Sequence, residues 1–204
     1  MALEIIGFPR SNFVRTVRMV AVEKQVEYKL VPEAPHSELV KSINPFGLIP
    51  CLRHDGLEIA ESQAIARYLD AIGDGPSLIP KDNVAAARVN HWVSLIATRV
   101  DTVLLRQYIV PYLFHKDESG NTIRTEIDKA LKRFPRVFGT LDAAVASGHV
   151  AGPAFSMADC FLLPMLAGVQ LFPEGKEAIA NHAALAEYFE RQTRRESFIA
   201  TNPY

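Results

Sequence analysis

The chain has 204 residues and a net charge of −1, from 22 basic and 23 acidic side chains. A hydrophobic fraction of 49% and an aromatic fraction of 9% fit a globular protein with a sizeable core, as one large domain or two small ones. The near-neutral balance gives no global pull toward nucleic acid or an anionic membrane, no apolar run approaches the ~18 residues of a membrane-spanning helix, and the N-terminus lacks the pattern of a secretory signal.

Two cysteines, Cys51 and Cys160, form no Cys-x-x-Cys, so the expectation is a cytoplasmic protein with reduced, buried, inert thiols. The six histidines form no spaced pair with acids or cysteines, and no metal site is expected.

In chain order, residues 3–7 read as a strand and Phe8-Pro9-Arg10 as a turn. Ser11 can cap a helix whose apolar residues Phe13, Val14, Val17, Val20 and Ala21 recur near every third and fourth position. Residues 26–31 read as a second strand, with Tyr28 and Leu30 alternating against Lys29. Residues 37–43 read as a short helix after a Pro-containing loop. Strands at 48–52 and 57–60 flank the polar turn His54-Asp55-Gly56, and Ser62 opens a helix to Ile72 with Ile65, Ala66 and Leu69 on one face. The order β-α-β-α-β-β-α predicts a thioredoxin-like domain over residues 1–73.

Gly73-Asp74-Gly75-Pro76 breaks the pattern, and residues 74–82 are expected to be a linker. Beyond it the spacing is helical. Val89, Trp92, Val93, Ile96, Val100, Val103 and Leu104 mark a helix over 84–112 that Pro111 should end. A turn at 117–121 precedes a helix over 123–147, expected to bend near Pro135. Further helices open at Ser156 and run over 183–193. Residues 83–204 are therefore expected to form a helical bundle, making the chain α/β plus all-α. Ser156-Met157-Ala158-Asp159 has capping-box spacing with Asp in place of Glu, so Asp159 is expected to be a structural cap and not a catalytic acid.

The most informative segment is Asn44-Pro45-Phe46-Gly47-Leu48-Ile49-Pro50, followed after the hairpin by Glu61-Ser62. A proline where a strand starts leaves the Ile49 backbone free to pair outside its own sheet. At these residues the chain resembles the soluble glutathione transferases, most strongly over residues 1–72 and around 156–159. The resemblance implies that Pro50 is cis, that Ile49 pairs backbone to backbone with the cysteinyl unit of glutathione, and that Glu61 and Ser62 hold the γ-glutamyl end. The glycyl carboxylate wants a cation from the short-helix region, where Lys41 and His36 stand. Glutathione would be a co-substrate, with no other cofactor. The family also implies a homodimer, its contact lined by the helix over 62–72 and the start of the helix at Val84, with Phe46 as an apolar plug.

Ser11-Asn12-Phe13-Val14-Arg15 resembles the family's serine-type pattern, of the phi-, theta-, zeta- or beta-like bacterial kind, in which a catalytic hydroxyl follows the first strand. Its task would be to favour a thiolate. A thiol of pKa about 8.5 is only about 3% ionised at pH 7, and lowering that value to about 6.5 requires about 2.7 kcal/mol of selective stabilisation of the anion. One hydrogen bond to a charged group contributes about 1.5–3 kcal/mol.

The implied activity is conjugation of the glutathione thiolate to a small apolar electrophile, with organic hydroperoxide reduction as a side activity. Trp92, Ile96, Tyr108, Tyr112, Phe114 and Phe172 read mostly as core at helical spacing, with a few of them expected to face the cleft and form the pocket for the electrophile. The competing reading is a non-catalytic glutathione-binding or protein-interaction module, against which the intact set Ser11, Ile49, Pro50, Glu61 and Ser62 argues. A thiol-disulfide oxidoreductase would lack its active-site cysteine.

Overall fold

The computed structural model describes residues 2–203 and divides them into two compact units, residues 2–80 with 193–203, and residues 81–192. In the first unit β1 (Glu4–Ile6) leads to α1 (Asn12–Glu23), β2 (Lys29–Val31), α2 (Glu38–Ile43), β3 (Cys51–His54), β4 (Leu57–Ala60) and α3 (Ser62–Ile72). The four strands lie in the order β2-β1-β3-β4, with β1 parallel to β2 and antiparallel to β3. This is the mixed thioredoxin-like sheet read from the sequence.

The strands are shorter than the pattern predicted. Residues 26–28 precede the ladder, and β3 begins only after Pro50, which has no N–H to donate. His54 belongs to β3, and the hairpin turns on Asp55 (φ 47) and Gly56 (φ 85) alone. Two consecutive positive φ values are what a two-residue hairpin turn demands.

α1 buries Val14, Val17, Met19, Val20 and Ala21. Its C-terminal end is held by Lys24, a buried cation whose ammonium donates to the carbonyls of Gly75 and Pro76 and pairs with Asp70 at 3.4 Å. The chain passes so close here that a Cβ on Gly75 would lie 2.2 Å from the Glu23 carbonyl oxygen. Residues 74–82, read as a linker, carry no helix or strand, and Leu78 within them is buried.

The second unit starts with α4 (Asn83–Leu95), capped by Asp82, whose carboxylate accepts from the Ala85 N–H. Two π-helical stretches follow, Ile96–Val100 and Thr102–Ile109, and then α5 (Val110–Phe114). Pro111 does not end this helix. The π-type turns ahead of it bond five residues apart and accommodate a residue with no N–H. α6 (Thr125–Val145) runs through Pro135, which lies on its exposed side.

α7 (Met157–Val169) is the core of this unit, with every residue but Gly168 buried. Its capping box is formed as the sequence indicated. The Asp159 carboxylate accepts from the N–H and hydroxyl of Ser156, from the Val150 N–H at 3.1 Å and from the Tyr188 hydroxyl at 2.8 Å. Burial pushes the Asp159 pKa up, against the pull of those donors. The residue binds three segments of the unit together and is fully buried, which fits a structural cap.

Two short helices escaped the sequence pattern: α8 (Pro173–Ala180), and α10 (Glu196–Ala200), which follows α9 (Ala183–Thr193). α10 packs on α1 and falls in the first compact unit.

Glu174, in the first turn of α8, gathers a polar network. It accepts from the hydroxyls of Tyr108 (3.1 Å) and Tyr112 (2.7 Å) and from the Arg124 guanidinium (2.6 Å). Burial would raise its pKa, but the bonds from Tyr112, Arg124 and Tyr108 bring it down to about 2. A depressed carboxylate contributes stability above its unfolded value near 4.3 and loses it as the pH falls through its folded value. Glu174→Gln should therefore lower the urea midpoint at pH 7 and flatten its decline between about pH 4.5 and 2.5. Urea titrations of both proteins across that range check this.

Candidate active site

The site is built at the C-terminal end of β1. The Gly7 N–H continues the ladder to the Val31 carbonyl at 2.9 Å, and a Cβ on Gly7 (φ 152) would lie 2.5 Å from Val14 Cγ2 and 3.1 Å from Ile49 Cβ. This close approach brings the β1–α1 turn, the first turn of α1 and the Ile49-Pro50 loop together. The turn closes through the Ser11 N–H to the Phe8 carbonyl at 2.9 Å. Ser11 is the N-cap of α1, with extended backbone (φ −66, ψ 130), and its side chain makes no capping hydrogen bond. The hydroxyl thus stands half-buried at a helix N-terminus without being committed to the helix.

The Ile49-Pro50 peptide is cis, as expected. The Ile49 side chain packs on the cluster of Ile6, Val40 and Cys51, while its backbone stands ahead of β3. Asn44, only 2% exposed, braces the loop. Its Oδ1 accepts from the Phe46 N–H at 3.0 Å, and its Nδ2 donates to the Leu48 carbonyl at 2.8 Å. An Asx turn explains the need for asparagine before Pro45.

Glu61 is the exposed N-cap of α3 and Ser62 its half-buried first residue. Glu61 adopts φ 70 and ψ 114, a conformation the sequence did not signal. Lys41 and His36 are less drawn to a common point. Lys41 is exposed on α2 and pairs with Glu38 at 3.0 Å. His36 (φ 66) is exposed, donates its N–H to the Gly47 carbonyl at 2.8 Å and lays its ring over Gly47.

Both cysteines are buried thiols. Burial, followed by the charges of Glu61 and Glu58, pushes the Cys51 thiol up to about 11, so it is no nucleophile near neutral pH.

The six aromatic and aliphatic positions of the second unit divide. Ile96 and Tyr108 are fully buried core. Tyr112 and Phe172 stack at 4.2 Å and are half-buried, as is Trp92, while Phe114 is exposed. Sequence reading missed the Glu174 network and the contacts of α10 with α1, because both join residues far apart in the chain.

Two family models match: the glutathione S-transferase N-terminal domain over residues 5–77 and the glutathione S-transferase C-terminal domain over residues 124–191. The chain belongs to the glutathione S-transferase family, a family of enzymes. A glutathione S-transferase of Silene vulgaris is 25% identical over 213 residues, covering 98% of this chain and 97% of the relative. The structure of a glutathione transferase from Populus trichocarpa superposes with a TM-score of 0.88 at 24% identity, covering 98% of this chain and 97% of that one. A glutathione S-transferase from Methylobacillus flagellatus, crystallised with glutathione bound, gives a TM-score of 0.82 at 25% identity with both chains fully covered.

The backbone of Glu61 generates a stability prediction. A non-glycine residue held at such a φ costs about 1–3 kcal/mol. A glycine there removes that strain but gives back about 0.4–1 kcal/mol through a freer unfolded chain. Glu61→Gly should therefore melt at the same temperature as the wild type or a few degrees higher, as calorimetry would read.

Proposed function

We propose that this chain is a serine-type glutathione transferase in which Ser11 activates the glutathione thiol for attack on a small apolar electrophile. The observation that carries the reading is the uncommitted Ser11 hydroxyl at the start of α1, the helix whose Val14 and the Ile49 side chain both crowd Gly7. Glutathione is an extended peptide with two carboxylates and one ammonium. The Ile49 N–H and C=O would take its cysteinyl unit as an added strand. The Glu61 carboxylate would take the ammonium, and Ser62 would donate its hydroxyl and backbone N–H to the γ-glutamyl carboxylate at the α3 N-terminus. Lys41, released from its surface pair with Glu38, or His36 would meet the glycyl carboxylate. An exposed pair contributes about 0–1 kcal/mol, so exchanging Glu38 for a ligand carboxylate costs little.

The reaction follows from these roles. The Ser11 hydroxyl donates to the sulfur, the thiol proton leaves to solvent, and the thiolate forms a carbon–sulfur bond by displacing a leaving group or adding to an activated double bond. The same thiolate would attack an organic hydroperoxide. A non-catalytic module is not favoured, since it has no use for an activating hydroxyl.

The Ser11 role is tested by Ser11→Ala. Losing a charge-assisted hydrogen bond of about 1.5–3 kcal/mol should raise the pKa of bound glutathione by about one to two units. Thiolate absorbance reads that shift directly. Turnover should fall more at pH 6.5 than at pH 9, while glutathione affinity stays close to that of the wild type. An unchanged pH profile would hand activation to a backbone N–H of Asn12 or Phe13.

The binding roles are tested by Glu61→Gly and Ser62→Ala, which should lose glutathione affinity without losing stability. An early-melting variant with full affinity would make its residue structural.

We also propose a cytoplasmic homodimer. Phe46 stands 76% exposed in the Asn44–Gly47 turn, with Ile72 and Val84 also exposed, and such apolar residues favour burial against a partner. Sedimentation should give a dimer at micromolar concentration, weakened by Phe46→Asp. A stable monomer would reject the dimer.

A further inference from the structure

The C-terminal segment meets α1 along one side of the helix. Arg15 is 4% exposed, and its Nη2 donates to the Phe198 carbonyl at 3.0 Å while the guanidinium lies 4.1 Å from the centre of the Phe198 ring. One turn on, the Arg18 Nη1 donates to the Thr201 carbonyl at 3.3 Å, and its Nε donates to the Tyr28 hydroxyl at 3.0 Å. At the helix end the Glu23 carboxylate accepts from Arg195 through Nε at 2.6 Å and Nη2 at 2.9 Å, and from the Ser197 hydroxyl. Ser197, Phe198 and Thr201 are buried, and Thr201 donates back to the Ser197 carbonyl.

We propose that residues 195–201 are a clasp that fixes the first turn of α1, and that Glu23 and Arg195 are positioning residues for the Ser11 hydroxyl. The inference rests on the Ser11 reading above. Three sides of α1 are accounted for. Its apolar residues face the buried core, α3 packs against it, and α10 covers the arginine side. Arg15 connects this cover to the site, because its backbone N–H donates to the Ser11 carbonyl at 2.9 Å. A buried guanidinium is tolerated only where its charge is matched, and the Phe198 carbonyl and ring supply part of that match. Without them Arg15 turns toward water, and the turn that begins at Ser11 loses its anchor. The bidentate Arg195–Glu23 pair holds α10 in register for this contact.

The test uses the full-length variants Arg195→Ala and Glu23→Gln, together with a chain ending at Arg194 that removes the clasp outright. Hydrogen exchange is followed over residues 12–16 and, where present, 195–203, and the pKa of bound glutathione is read by thiolate absorbance. Release of the clasp should speed exchange over 12–16 about fivefold or more. It should raise the thiol pKa by about half a unit and lower kcat about threefold at pH 6.5, with recovery toward pH 9 and little change in KM for glutathione. Faster exchange in the tail with residues 12–16 and the thiol pKa unchanged would overturn the proposal. Faster exchange over 12–16 with an unchanged thiol pKa would overturn the positioning role. If Ser11→Ala leaves the thiol pKa unaltered, the Ser11 reading falls, while the exchange comparison still decides whether the clasp holds the turn.

Discussion

Gly7 carries no side chain, and the close approach at that residue sets the geometry of the whole site. Val14 and Ile49 crowd the space a Cβ would need, so the helix bearing Ser11 and the loop bearing Ile49 can touch only across a glycine. Any other residue at position 7 would push α1 away from the sheet or the Ile49-Pro50 loop away from α1. Its φ of 152 adds a second reason for glycine there.

Around that contact the first unit is braced by polar groups in places where apolar packing alone would leave slack. Asn44 holds the loop that presents Ile49, and Lys24 ties the end of α1 to residues 75–76. The clasp of residues 195–201 supports the same helix from residues at the other end of the chain. Asn44 and Lys24 are buried polar groups whose side chains find hydrogen-bond partners, the condition under which such groups add definition and not cost.

The second unit follows a different logic. α7 is apolar nearly all round and forms a core against which other helices pack. Its entry is fixed by Asp159, and the Glu174 network fixes α8 to the region of Tyr112 and Arg124. Neither carboxylate has a role in the proposed chemistry. The displaced pKa values of Asp159 and Glu174 therefore mark structural joints.

By itself the sequence determined the order of the elements in the first unit, the helical nature of the second, the Ser156–Asp159 cap and the Asn44–Pro50 turn before β3. These are local signals: alternation, helical spacing, Pro and Gly punctuation, and a motif whose residues lie within about twenty positions of one another. It misplaced the end of the helix at Pro111, because proline breaks an α-helix and the widened π turns that accommodate it leave no mark in the pattern. It left α8 and α10 unread, because helices of eight and five residues carry too few apolar repeats to show a period. Only the tertiary structure decided that Arg195 pairs with Glu23 across 172 positions of sequence and that Phe198 meets Arg15 across 183. Such contacts depend on where packing brings distant segments together, and no local pattern of residues encodes that meeting.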